Sequence, residues 1–430
     1  MKIGFVSLPV AGHLNPMTAL ARRLRARGHE VVFIGVPDVE PFARGAGLRF
    51  VAYCENEYPA GSITGLYAPV SKLHGLDVTR WSVRERLTGL FSAGAKHLPQ
   101  KLAQTGVDAL VIDTIHFFLE LVPMSLGMPY VHVWNVLQTD VSGTTPPCFF
   151  PWPHESTPEA LARNQEGVEA AREMLAPVVR LAMAHAAKMG LHVDWSDGGA
   201  TLSKLAVVAQ TPKEFDFPGI PWPPQFHYTG PFHDSGGRGS IAFPWEKLTR
   251  RPMVYASMGT LLNGRGDVFK TLLQAAGKLS TIQLVLSVGK NVEPDDVGPV
   301  PPNATVVRQA PQVELLKRAA LCITHAGLNT ALESLAQGVP MVAIPVGYDQ
   351  PGVAARIAHH GVGEFLELDD FAVGDVLRLM QQVLGDPQYR AKARWFQKVI
   401  AQTCGLDVAA DVIERAFEIS TPRDRLVSGL

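Results

Sequence analysis

Short apolar runs alternate with stretches of helical period along the first third of the chain, and the same rhythm starts again past residue 250. Residues 3–9 (IGFVSLP) read as a strand, 17–28 (MTALARRLRARG) as a helix ending at Gly28, and 30–36 (EVVFIGV) as the next strand. DALVIDTI (108–115) and YVHVWNV (130–136) continue the series. Strands alternating with helices predict a parallel sheet wound with helices. Arg22, Arg23, Arg25 and Arg27, set among Ala19, Leu20 and Leu24, read as the wet face of the first helix.

Two stretches break the rhythm. The first, 141–200, opens with the proline-rich, aromatic TTPPCFFPWP and runs on as a long helical pattern, which Pro177 is expected to kink or divide. As an insertion in a wound domain it is either a pocket wall or a packing helix without a ligand; the pattern leaves both open. The second, 211–240, is rich in Pro and Gly and lacks periodicity, as an interdomain linker does. Five further strands follow, in MVYASMG, IQLVLSVG, ATVVR, LCITHAG and MVAIPVG. The predicted fold class is α/β, two doubly wound domains facing each other across a cleft. The expected boundaries are a first domain over 1–215, a linker over 216–240, a second domain over 241–404, and a terminal helix and tail over 405–430.

Size and composition fit this picture. A chain of 430 residues, 47% hydrophobic and 18% charged, can fill two cores. Its 39 basic and 40 acidic side chains nearly cancel, which argues against nucleic acid or an anionic membrane as a partner. Cys54, Cys148, Cys322 and Cys404 lie far apart with no metal-ligand spacing, and a reduced, cytoplasmic setting is expected. The apolar start, KIGFVSLPV, meets Gly12 and His13 before reaching signal-peptide length. No run approaches the roughly 18 apolar residues of a spanning helix, so only peripheral membrane contact stays open. Oligomeric state is not legible.

The densest chemistry lies in THAGLNTALESLAQGVPMVAIPVGYDQPG, residues 324–352. Strand, glycine turn and helix start follow in succession; Gly327 permits close backbone approach, and free N–H groups at a helix start suit a phosphate. His325, Asn329 and Glu333 recur at four-residue steps on one side of the helix, with Ala331, Leu332, Leu335 and Ala336 on the other. Singly, Asn329 and Thr330 could be helix caps and Glu333 a solvated residue. Their coincidence with His325, and with Asp349 and Gln350 at the end of the next strand, favours a ligand site where wound sheets usually place one.

These residues resemble the signature of the nucleotide-sugar-dependent family 1 glycosyltransferases, and the resemblance covers nearly the whole chain. It implies a GT-B fold of two Rossmann-like domains. It also implies a donor diphosphate held by His325, the backbone of Gly327 and Leu328, Asn329 and Thr330, ribose hydroxyls on Glu333, and sugar hydroxyls on Asp349 and Gln350. VYASMGT (254–260) is similar to the family's phosphate-facing strand end and implicates Ser257 and Thr260. RQAPQVELL (308–316) is similar to its base-binding loop and implicates the Ala310 backbone and Gln312. Gln309 departs from the pattern: plant members carry there a tryptophan that stacks on uracil, so UDP and TDP both remain as donor nucleotides, with UDP-glucose the expected co-substrate.

In the first domain, PVAGHLNP (9–16) sets His13 in a glycine-containing turn after the first strand, and the resemblance makes it the catalytic base. Deprotonating an attacking hydroxyl needs a group that titrates near the working pH. Asp113 closes the run ALVI, and the resemblance sets this strand end beside the His13 turn, which makes it the carboxylate expected to orient the histidine, as in hydrolase triads. The expected reaction is inverting hexosyl transfer to a small hydrophobic acceptor, a natural-product aglycone such as a polyketide, flavonoid, terpenoid or carotenoid. No D-x-D motif occurs, and neither a metal nor a cofactor is expected. Phe117, Phe118, Trp134, Phe149, Phe150 and Trp152 are candidate acceptor contacts, with a core role as the alternative. The competing functions are a sugar-nucleotide isomerase of similar architecture and a catalytically silent nucleotide-sugar-binding homologue.

Overall fold

The computed structural model describes residues 1–234 and 241–420. Thirteen strands among them form two sheets, parallel throughout. The first contains β1 (Lys2–Val6), β2 (Glu30–Gly35), β3 (Arg49–Ala52), β4 (Ala109–Asp113), β5 (Tyr130–Trp134), β6 (Val207–Ala209) and β7 (Phe226–Tyr228), in the order β3-β2-β1-β4-β5-β6-β7. The second contains β8 (Met253–Ser257), β9 (Gln283–Ser287), β10 (Ala304–Val307), β11 (Ala319–Thr324), β12 (Met341–Ala343) and β13 (Gly363–Phe365), in the order β10-β9-β8-β11-β12-β13. Every residue of the central strands β4 and β8 is buried, because helices cover both faces.

Three features depart from the sequence-based expectations. The stretch 216–240 is not only connection: Phe226–Tyr228 pairs with β6 as the edge strand of the first sheet, and residues 235–240 lie outside the described residues. Three residues among prolines carry no period, so pairing alone makes them a strand. The helix Pro158–Lys188 runs undivided through Pro177. Arg23 and Arg27 do not simply face water. The last helix, Gly405–Ser420, returns from the second sheet to pack on the first helix, Ala11–Ala26, where Arg23 pairs with Asp407 at 2.6 Å and Arg27 with Asp411 and Glu414. Residues 421–430 of the expected tail lie outside the described residues.

The lobes share a packed seam. Leu137 and Cys148 of the first lobe join the buried cluster of Leu328, Ala331, Val353 and Ala354 in the second. Gly352 donates its N–H to the Cys148 carbonyl at 2.8 Å, and a Cβ there would lie 2.7 Å from the Cys148 Cα. Glycine is what lets the two backbones meet. Within the same seam Arg356 donates to Asp216 at 2.9 and 2.6 Å, both side chains buried.

Candidate active site

Strand register builds the first half of the site. Val6 pairs with Ile112, so Ser7 and Asp113 end level at the carboxyl edge of the sheet, and the Ser7 hydroxyl donates to Asp113 Oδ2 at 3.1 Å. Asp113 is fully buried and also accepts the Leu8 N–H at 3.2 Å and, on Oδ1, the Ile115 N–H at 3.2 Å. Burial alone would raise its pKa, but the adjacent His13, with these N–H donors, holds the carboxyl below the usual range. Because Asp113 is ionised, His13 Nδ1, 2.8 Å from Oδ2, carries the proton, and Nε2 is left with a basic lone pair.

His13 stands in the first turn of the helix Ala11–Ala26, which starts six residues earlier than its pattern predicts. Pro16 lies inside this helix and has no N–H for the Gly12 carbonyl. That carbonyl instead accepts Asn329 Nδ2 of the second lobe at 2.7 Å. Asn329 Oδ1 accepts Gln210 Nε2 at 2.8 Å, and the same Gln210 amide reaches the Asn135 carbonyl at 2.7 Å. The Asn329 side chain is therefore an interlobe clasp beside the His13 turn, and only its backbone N–H faces the helix start.

The second half follows the same logic. Ser257 and Thr324 are paired at the ends of β8 and β11, which puts Ser257 next to His325. The His325 ring lies between two glycines: a Cβ at Gly259 would fall 2.5 Å from its Cε1 and Nε2, and one at Gly327 2.6 Å from Nε2. Burial holds His325 neutral, its pKa pushed down to about 4, with Nδ1 unpartnered among the described residues. The helix Leu328–Ala336 begins at Gly327 with no side-chain cap, so its first N–H groups are open to an anion. This removes the capping role considered for Asn329 and Thr330. Glu333 is buried, not solvated, and accepts Gln312 Nε2 at 2.7 Å, while Gln312 Oε1 accepts the Tyr255 hydroxyl at 3.1 Å. Ala310 is buried beside them; Thr260 and Gln309 are exposed.

Asp349 crosses the seam, Oδ2 accepting the Leu137 N–H at 2.8 Å, and burial raises its pKa. Gln350 turns Oε1 onto the Val346 and Gly347 N–H groups at 2.8 and 3.1 Å, leaving its NH₂ for a ligand. The aromatic candidates separate into groups. Phe117 contacts Phe118, which leans on Trp195 at 5.8 Å; Phe150 stacks on Trp152 at 4.0 Å over Gly167 of the long helix. Phe149 packs into the interlobe cluster, a structural role, and Trp134 ends β5 half-buried. The insertion thus brings no single aromatic cage together among the described residues.

Sequence reasoning missed Asn135, buried just past β5 with both side-chain polar atoms unpartnered among the described residues. It also missed backbone strain. Ala326 and Tyr348, with φ of 64° and 56°, adjoin His325 and Asp349, and Phe118, with φ of 64°, lies in the loop after Asp113; Cys54 and Cys404 are the other left-handed non-glycine residues among those described. Left-handed backbone at non-glycine residues concentrates at functional sites; no local residue pattern announces it.

Two expectations follow. Gly259→Ala, at φ 73°, displaces the His325 ring and weakens binding of UDP or TDP by about tenfold or more, the worth of one hydrogen bond to a charged group, about 1.5–3 kcal/mol. Calorimetric titration reads this, and unchanged affinity would remove His325 from the nucleotide. The second concerns acid. His116, His325 and His360 are each pushed from about 6.5 to about 4, burial being the main cause. Between those values the unfolded chain binds protons that the folded chain does not, so stability falls as pH drops from about 6.5 towards 4. Melting temperature against pH shows the slope; His116→Gln should flatten it, and an unaltered slope would mean His116 is not held neutral.

Residues 246–403 match the family described as UDP-glucoronosyl and UDP-glucosyl transferase. A zeaxanthin glucosyltransferase of Pantoea ananas is 26% identical over 97% of this chain and 96% of its own length. A demethyllactenocin mycarosyltransferase of Streptomyces fradiae is 27% identical over 96% and 86%. Among solved structures, a calicheamicin glycosyltransferase superposes with a TM-score of 0.73 at 21% identity, covering 98% of this chain and 99% of that one. A spinosyn rhamnosyltransferase complexed with thymidine diphosphate gives 0.64 at 18%, covering 96% and 100%. The two parallel wound domains have the GT-B fold of these solved glycosyltransferases. Residues 246–403 carry the family match, and over nearly its whole length the chain is similar to glycosyltransferases of this kind. Among the described residues no helix is long and apolar enough to cross a membrane.

Proposed function

We propose that the chain transfers a hexose, glucose from UDP-glucose in the first instance, to a hydroxyl of a small hydrophobic natural-product aglycone with inversion at the anomeric carbon. The observation that carries this reading is the His13–Asp113 pair, bonded at 2.8 Å and joined through the Gly12–Asn329 clasp to the open helix start at Leu328. His13 Nε2 takes the acceptor proton as the oxygen attacks. Asp113 stabilises the imidazolium that forms. The departing diphosphate meets the N–H groups at the start of the Leu328 helix and the side chains of His325, Ser257, Thr260 and Thr330, so these residues supply charge stabilisation without a metal. Glu333 and Gln312 suit the ribose, the Ala310 backbone the base, and Asp349 with the Gln350 NH₂ the sugar hydroxyls.

Relatives that act on zeaxanthin, demethyllactenocin and calicheamicin support a bulky apolar acceptor, and Phe117 and Phe118, on the loop that follows Asp113, are the best-placed wall for it. The exposed Gln309 leaves the base without an aromatic stack, so TDP-sugars belong in the same screen. Four unpaired cysteines are consistent with a reduced, cytoplasmic setting. The test is a screen of UDP- and TDP-sugars against polyketide, flavonoid, terpenoid and carotenoid alcohols, read by mass spectrometry, with the anomeric configuration read by NMR. A product of inverted configuration is expected. Retained configuration overturns the single-displacement mechanism, and donor turnover that needs no acceptor would point to an isomerase.

A further inference from the structure

Two short helices of the first lobe, Ser62–Tyr67 and Leu76–Ser82, and the π-turn Val83–Leu87 that continues the second, carry polar groups the transfer chemistry does not use. Arg86 is 4% exposed. Its guanidinium lies over the Tyr67 ring, 4.4 Å from the centroid, yet among the described residues it has no ion pair and no hydrogen bond, and its Nε is fully buried. The Tyr67 hydroxyl and the Thr79 hydroxyl, on the same two helices, are likewise buried without partners. A buried cation without a counter-charge is unfavourable, and a cation–π contact offsets only part of that cost. A π-turn inside a helix is itself a frequent mark of function.

The place of this cluster gives it a purpose. Ser82, four residues before Arg86, shares a 2.6 Å hydrogen bond with the Tyr348 hydroxyl, and Tyr348 is the strained residue before Asp349. His116, whose N–H bonds the Asp113 carbonyl at 2.9 Å, lies within electrostatic reach of both Asp113 and Arg86. The cluster is thus tied through Ser82 to the turn that carries Asp349, and it stands near His116, three residues past Asp113. Guanidinium and hydroxyl groups present donors, and their complement is an oxyanion that only accepts.

We propose that Arg86, with Tyr67 and Thr79, binds an ionised carboxylate of the acceptor, so that the preferred acceptor is a hydroxy acid with an apolar body and not a neutral aglycone. This rests on reading the chain as a transferase to a small acceptor. The probes are para-hydroxycinnamate and a hydroxynaphthoate, each beside its methyl ester, which removes the charge and adds one methyl group. Wild type should favour the acids in kcat/KM by at least about tenfold. R86M should bring the ratio to about one, chiefly through the acceptor KM, with donor KM unchanged, and R86K should keep part of the preference. R86M removes an uncompensated charge, so its melting temperature should equal or exceed wild type; if it fails to fold, R86K carries the comparison. Wild type using esters as well as acids, or R86M keeping the acid preference, overturns the proposal. Titration of each acid in the absence of donor separates the two readings. Arg86-dependent binding without transfer from any donor would overturn the transferase reading alone, whereas transfer to neutral alcohols without Arg86-dependent acid binding would overturn this one alone.

Discussion

Replacing His13 by alanine is expected to lower the kcat of glycosyl transfer by roughly 10²–10⁴-fold, the usual share of a positioned general base. The donor KM should change little, because the proposed diphosphate, ribose and base contacts all belong to the second lobe. Asp113→Asn should cost a comparable factor by a different route. An amide NH₂ facing His13 Nδ1 would force the imidazole proton onto Nε2, where the acceptor needs a lone pair. One amide oxygen also cannot serve both oxygens' present donors, Ser7 and Leu8 on Oδ2 and Ile115 on Oδ1. The double variant should be no slower than His13→Ala, since the two residues act as a unit. Initial rates with a saturating donor decide the matter, and wild-type turnover by His13→Ala would mean that another group takes the proton.

Breaking the Asp216–Arg356 pair one side at a time is expected to destabilise the fold by about 3–5 kcal/mol, since each single replacement strands the other charge in the interior. Asp216 Oδ2 also accepts Gln138 Nε2 at 2.6 Å and the Tyr228 hydroxyl at 2.5 Å, and the Arg356 guanidinium lies 4.1 Å from the Phe217 ring centroid. Arg356 belongs to the helix Gln350–His359 that presents Gln350, so the loss should also loosen the sugar end of the cleft. The pair Asp216→Leu with Arg356→Met should recover most of the stability, because no charge is left unpaired. Urea unfolding midpoints of the four proteins measure this, and single variants as stable as wild type would show that the pair is not what holds the seam.

The long apolar strands were legible because a buried parallel strand needs an unbroken apolar run. Those at 3–9, 30–36, 108–115 and 130–136, and the five of the second domain, stand where the pattern puts them. β3, β6, β7 and β13 escaped it. With three or four residues each, they are strands only because a longer neighbour offers them a ladder. The motif at 324–352 predicted the juncture of strand and helix correctly, yet it could not tell that Gln350 spends its oxygen on its own loop or that Phe149 packs into the seam.

By itself the sequence determined two wound α/β domains, a helix start prepared for an anion, and the residue types that could serve as base and partner carboxylate. Each of these is written in neighbours along the chain, where period and spacing report directly. The resemblance paired Asp113 with His13, but tertiary structure alone decided that the carbonyl freed by Pro16 is claimed by an asparagine 317 residues away, and that Arg86 is buried with no counter-charge among the described residues. Such pairings depend on how sheets stack and lobes close, and each is fixed by the burial and hydrogen bonding of many distant residues at once. No local pattern carries that information.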